Sequence, residues 1–198
     1  MSAAARLSPR DGLRGPTYGL LIGLLACTGL RISEALQLQH ADVDLHAGVL
    51  TIRLTKFKKS RLVPIHPSTQ DQLRRYLEAR KGLGFRGPGT ALFTCKAGSA
   101  LPYSTVRTTL RKLIDQAIPP DTSRSRRPRI HDLRHTFACR CLLRWYREGV
   151  NIDQRIAALS TYLGHAKVSD TYWYLTGVPE LMAIAAARFE RFGREQSQ

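Results

Sequence analysis

Apolar positions recur with two different periods along this chain. Residues 18–27 (Y-G-L-L-I-G-L-L-A-C) are apolar on nearly every side, as in a helix covered on most faces, and Thr28 and Gly29 supply its end. A second, short helix is expected from about Arg31. Between residues 42 and 65 the period drops toward two. The runs V-D-L and V-L-T-I-R-L, a basic turn K-F-K-K-S, and R-L-V-P-I predict a small antiparallel sheet with residues 56–60 at a hairpin tip. Helical spacing returns over residues 67–83, where Pro67 and Ser68 suit a first turn, and over residues 104–118. Between these helices the sequence predicts a glycine-rich loop at 84–89 and a short strand at A-L-F, 91–93. Residues 119–129 (P-P-D-T-S-R-S-R-R-P-R) form the clearest irregular stretch. From Ile130 onward the chain is helical, with breaks expected at Gly149, Gly164 and Gly177. The pattern predicts a mainly α fold with a small antiparallel β-sheet, an α+β domain over residues 17–193. Residues 1–16, rich in Arg, Ser, Pro and Gly, are expected to be flexible, and residues 194–198 to be a disordered tail.

Composition narrows what such a domain could meet. The 198 residues carry a formal charge of +16, which attracts polyanions: nucleic acid first, an anionic membrane second. The excess comes from 24 arginines against 7 lysines, and the arginine fork meets phosphate oxygens in pairs. The most apolar stretch is about half the length that spans a bilayer, and the first residues lack the basic-apolar-small layout of a secretion signal. Cys27, Cys95, Cys139 and Cys141 contain no C-x-x-C pair and are expected to be reduced, largely buried thiols of a cytoplasmic protein.

Three segments could carry chemistry. T-G-L-R-I-S-E, 28–34, sets Arg31 at a helix start, where free backbone N–H groups already favour an anion. Glu34, three residues on, either forms an ordinary surface pair with Arg31 or holds its guanidinium in place. H-D-L-R-H, 131–135, puts His131 and Arg134 on one helical face. His131 and His135 also have the spacing of a zinc-protease pair, but Asp132 stands where that motif has Glu and Arg134 would bring a cation to the metal. A phosphate site suits these residues better, with a capping Asp132 and a solvated basic face as the plain alternative. No metal or cofactor is expected. L-G-H-A-K-V-S-D-T-Y-W-Y-L, 163–175, holds His165 and, nine residues on, Tyr174, with Tyr172 as a competing phenol. Lys58, Lys59 and Arg61 around the hairpin, and Arg124, Arg126, Arg127 and Arg129 before His131, are the candidate DNA contacts. For the latter group, a solvated linker is the alternative.

Through Arg31 in T-G-L-R-I-S-E, H-D-L-R-H, and L-G-H followed by Tyr174, the chain resembles the tyrosine recombinase (phage integrase) family over about residues 18–192. The resemblance implies that family's catalytic-domain fold and a site-specific DNA recombinase or integrase, as found on mobile elements. In that chemistry Tyr174, chosen over Tyr172 by the family spacing from His165, attacks a phosphodiester and leaves a 3′-phosphotyrosyl link and a 5′-hydroxyl. Tyr172 and Trp173 are then expected to be packing residues. A phenol is protonated at neutral pH, so attack needs a base, for which His131 is the candidate. Arg31 and Arg134 would hold the non-bridging oxygens, with a hydrogen bond from His165; Glu34 and His135 would support them. The family's leaving-group acid is a hairpin lysine, which maps to Lys56. The turn here lacks the usual glycine, so Lys58 and Lys59 stay open. Because the bond energy is kept in the covalent link, rejoining would need neither ATP nor metal.

The implied partner is double-stranded DNA, with assembly as a homo-oligomer on it. The family's N-terminal helical core-binding domain is expected to be absent, since the chain starts almost at the catalytic domain. Type IB topoisomerase-like relaxation, and a truncated DNA-binding module inactive on its own, are the alternatives. Near the C-terminus Leu181, Ile184, Ala185 and Phe192 form an apolar stripe expected to dock on a neighbouring protomer or on the protein's own core.

Overall fold

The computed structural model describes residues 13–53, 60–84, 90–95, 99–118 and 127–176. Lys56, Lys58, Lys59, Arg124, Arg126 and the stripe from Leu181 to Phe192 lie outside the described residues, as do both terminal segments apart from residues 13–16. The chain divides into two compact units, Met1–Arg134 and His135–Gln198.

In the first unit, helix α1 (Arg14–Thr28) buries Leu21, Leu24 and Leu25 almost completely. Each such leucine contributes roughly 1.5–3 kcal/mol over an exposed one. The helix starts before residue 17, the expected domain boundary, because Pro16 falls in its first turn, where a missing N–H costs no hydrogen bond. Gly29 ends it at φ 63°, donating its N–H to Leu25 O at 3.1 Å; that left-handed position strains any residue with a Cβ. The chain re-enters a helix at once, α2 (Ile32–Gln37), with Arg31 as its cap residue.

A 3₁₀ turn, His40–Asp42, leads into a three-stranded antiparallel sheet in the order β1 (Val43–Asp44), β2 (Val49–Ile52), β3 (Arg61–Pro64). The register pairs Leu50 with Val63 and Ile52 with Arg61. Leu50, Ile52 and Val63 are buried while Leu62 is exposed, so alternation places Arg61 on the inner face with Val63. Helix α3 (Pro67–Gly82) packs on α1, with Thr17 Oγ1 and Tyr76 OH 3.1 Å apart in the buried seam. Helix α4 (Tyr103–Ala117) buries Val106, Thr109, Leu110 and Leu113, one face of a 3.6-residue period. The A-L-F run is not a strand. Ala91 makes a single bridge to Gln39 and Thr94 one to Ala100, while Leu92 and Phe93 are fully buried. A short apolar run signals burial without signalling a ladder, which is why its period misleads.

Helix α5 (Ile130–Glu148) contains the division between the units, and the second unit continues with α6 (Ile152–Leu163) and α7 (Ser169–Thr176). Its core gathers Ala138, Cys139, Leu142, Ile156, Leu159, Leu163 and Tyr174. Asn151 caps α6 by accepting the Asp153 N–H at 3.0 Å, and Gly164 ends it at φ 68°. The thiols are free, but only Cys139 is buried. Cys27 is exposed, because helical rotation carries it off the leucine face of α1, which corrects the expectation for the set. Among the described residues, no helix is long and apolar enough to cross a membrane.

Candidate active site

The turn at Gly29 and the cap of α2 fix Arg31 locally. Glu34, itself buried, accepts the Arg31 backbone N–H at 2.9 Å and its guanidinium Nη1 at 3.0 Å. The same carboxylate takes Arg61 at two points, Nη1 to Oε1 at 3.0 Å and Nη2 to Oε2 at 2.9 Å. Burial alone would push the Glu34 carboxyl up. Hydrogen bonds from Arg61 and the Arg31 N–H, with both guanidinium charges, outweigh it and hold the group below the ordinary range. Glu34 is therefore a fixed anion at neutral pH. The Arg31 side chain keeps 34% of its surface, enough to meet a ligand.

Arg134, 2% exposed, donates from Nη1 to Gly29 O at 2.7 Å, tying the start of α5 to the turn that precedes Arg31. His131 lies one turn earlier on the same helix, and both line a cleft of about 630 Å³. Among the described residues its walls include Arg107 and Arg111 of α4 with Arg127 and Arg129 of the preceding segment, against the acid Asp115. Desolvation pushes His131 below its ordinary value. Arg134, Arg129 and Arg31 add to that and Asp132 opposes it. Its ring is therefore neutral at pH 7 and able to accept a proton.

A consequence can be read in kinetics. In second-order attack on DNA at sub-saturating concentration, which reports the unbound protein, the acid limb of the rate should be centred below about 6.5. A limb centred above that would take the base role from His131.

The second unit holds the other two candidates. Gly164 turns the chain so that the His165 N–H reaches Ser160 O at 3.0 Å, and its Nδ1 lies 2.7 Å from Thr171 Oγ1, a fully buried hydroxyl of α7. Three residues further along α7, Tyr174 is 5% exposed, its ring stacked on His165 with centroids 5.9 Å apart and an interplanar angle of 20°. His135 packs against Tyr174 at 5.2 Å and edge-on against Trp173 at 5.7 Å, with Cys139 Sγ 3.5 Å from its Nε2. Tyr172 and Trp173, expected to pack, are instead 44% and 66% exposed. Successive helical residues turn by about 100°, so with Tyr174 inward Tyr172 faces away, while Trp173 lies to the side and keeps its ring contacts with His135 and Tyr174.

Arg31, His131 and Arg134 thus belong to the first unit, and His165 and Tyr174 to the second. Lys56 lies outside the described residues. Of the candidate DNA contacts, Arg127 and Arg129 line the cleft, and Arg61 has its guanidinium on Glu34. Sequence reasoning missed Arg107 and Arg111, whose i, i+4 spacing opposite the buried face of α4 was a usable signal. Among the described residues, no group of three His, Cys, Asp or Glu side chains is placed to hold a metal ion.

The sequence pattern of the phage integrase family matches residues 14–178. A chain named as an integrase/recombinase, y4rB of Sinorhizobium fredii, is 47% identical over 183 residues, covering 92% of this chain and 58% of that one. The tyrosine recombinase XerC of Rhodospirillum centenum is 35% identical over 174 residues, covering 87% of this chain and 45% of XerC. The site-specific recombinase XerH, solved bound to a palindromic difH substrate as a post-cleavage complex, superposes with a TM-score of 0.69 at 25% identity, covering 96% of this chain and 50% of XerH. The chain spans 58% and 60% of the length of the first two curated relatives, y4rB and y4rE.

Proposed function

This chain belongs to the phage integrase family, and from that premise we propose that it is the strand-cleaving and rejoining part of a site-specific DNA recombinase. The observation that supports the reading is a cluster in the first unit, where His131 and a buried Arg134 line a cleft with several arginines and Arg31, held by Glu34, follows the turn whose Gly29 carbonyl Arg134 grips. Arg31 and Arg134 take the non-bridging oxygens of the scissile phosphate. As the Tyr174 phenol attacks phosphorus, His131 accepts its proton, and His165 donates a hydrogen bond to the charge that develops. Such preorganised donors are each worth about 3–4 kcal/mol in the transition state. The bond to the deoxyribose 5′-oxygen breaks, and Lys56 delivers the proton that this poor leaving group needs. The product is a 3′-phosphotyrosyl link, which a 5′-hydroxyl from the same or another duplex can attack to restore the phosphodiester.

The test is a duplex nicked next to the cleaved position, so that the short released strand diffuses away and the protein stays attached. With a chelator present, a covalent adduct should accumulate on denaturing gels. No adduct with any duplex bearing the element's own recombination site would end the proposal.

Affinity should be dominated by phosphates. With Arg107, Arg111, Arg127, Arg129 and Arg134 lining the cleft in a chain of formal charge +16, neutralising five or six phosphates predicts that log affinity falls with log salt at a slope of about −5. A nearly salt-independent affinity would contradict the electrostatic account. The protein acts as a homo-oligomer on DNA, a reading supported by the palindromic substrate of XerH, since a palindrome mirrors protein two-fold symmetry. It works in the cytoplasm, where DNA is reached without crossing a membrane.

A further inference from the structure

Arg61 follows the basic run K-F-K-K-S, yet it is not deployed on the surface. It opens β3 opposite Ile52, and alternation gives it the inner face shared with Val63, leaving 11% of its side chain exposed. There it grips Glu34 through both terminal nitrogens, at 3.0 and 2.9 Å. A planar fork on a carboxylate fixes the plane of the carboxylate as well as its position. That plane matters because the Oε1 that receives Arg61 Nη1 also receives Arg31 Nη1 at 3.0 Å.

The plain structural account is that an inward charge on an edge strand discourages wrong pairing. It explains the placement of Arg61 but not why its partner is the carboxylate that orients Arg31. Stability is also a weak reason for such a pair, since buried ion pairs are often no better than apolar residues of the same size.

We propose that Arg61 is a positioning residue of the cleavage site: it locks the Glu34 carboxylate, and through it the guanidinium of Arg31, in the orientation that meets the scissile phosphate. This rests on the phosphotyrosyl reading above. The role assigned to Arg61 is positioning, not contact with the reacting atoms.

The test uses the full chain with Arg61→Gln and Arg61→Lys. At saturating nicked DNA, the single-turnover rate of adduct formation per folded molecule should fall about a hundredfold in Arg61→Gln, the scale of a misplaced reacting group. DNA affinity should stay near that of the unchanged protein. Arg61→Lys keeps the charge without the fork and should recover only part of the rate. If Arg61→Gln does not fold, Arg61→Lys carries the same comparison. A substrate with a 5′-bridging phosphorothiolate needs no general acid, and on it the loss should persist, because the phosphate oxygens must still be held. Side-chain NMR of ¹⁵N-arginine protein, read without any reaction, should show the Arg31 Nε–H signal ordered in the unchanged chain and averaged in Arg61→Gln. An unchanged Arg31 signal, or an unchanged rate, overturns the proposal. So does a loss that vanishes on the phosphorothiolate, which would assign Arg61 to the leaving-group acid. If the unchanged protein forms no adduct, the functional reading fails by itself, and the Arg31 signal still decides the positioning claim.

Discussion

Tyr174→Phe is expected to abolish the covalent protein–DNA adduct, lowering its rate of formation by more than about 10⁴-fold, while DNA binding stays close to that of the unchanged chain. The substitution removes one hydroxyl and keeps the ring that fills the second unit's core. The packing on His165 at 5.9 Å and His135 at 5.2 Å is preserved. Any stability change should stay within about 0.5–1.5 kcal/mol, the net worth of one hydrogen bond. Loss of activity with the fold intact therefore isolates the nucleophile. Tyr172→Phe is the control, since Tyr172 has a 44% exposed side chain on the same helix and should leave the adduct in place. The reverse outcome, with Tyr172→Phe inactive and Tyr174→Phe active, moves the nucleophile by two residues.

The second large effect concerns the leaving group. Lys56→Ala should lower cleavage of ordinary DNA by about 10²–10⁴-fold, the usual range for a general acid. A 5′-bridging phosphorothiolate leaves as a thiolate with little need of a proton, so the same variant should cleave it at nearly the rate of the unchanged protein. Equal loss on both substrates would take the acid role from Lys56. Lys58→Ala and Lys59→Ala then decide which neighbour in the K-F-K-K-S run holds it.

Where a periodic pattern was strong, the sequence was easily read. Helical spacing over residues 104–118 gave α4, the β-branched runs between residues 42 and 65 gave the antiparallel sheet, and Gly29 and Gly164 gave two helix ends. The differences share a cause, which is reading a residue by its type or its run rather than by its phase. Arg61 was grouped with Lys58 and Lys59 because it is basic; counting by two from buried Val63 turns it inward, where its guanidinium meets Glu34. Tyr172 and Trp173 were expected to pack once the family spacing had chosen Tyr174, yet both are largely exposed, since only one of three consecutive helical residues faces straight inward. The A-L-F run was read as a strand because it is apolar, yet its burial is served by single bridges.

The candidate site residues could be named from the sequence for a different reason. Arg31, His131, Arg134, His165 and Tyr174 sit in short motifs beside turns whose chemistry is local, namely a glycine end, a helix cap and an i, i+3 pair. What no local signal could give is the sharing of Glu34 between Arg31 and Arg61, which are 30 positions apart in the sequence and meet only through the fold.

The most direct test of the account is to identify the covalent bond itself. The adduct formed on a nicked duplex would be digested with protease and nuclease, and the nucleotide-bearing peptide sequenced by mass spectrometry. The account predicts a nucleotide joined through its 3′-phosphate to Tyr174, with a free 5′-hydroxyl on the released strand. A link to any other residue, or a 5′-phosphoryl attachment, would contradict it.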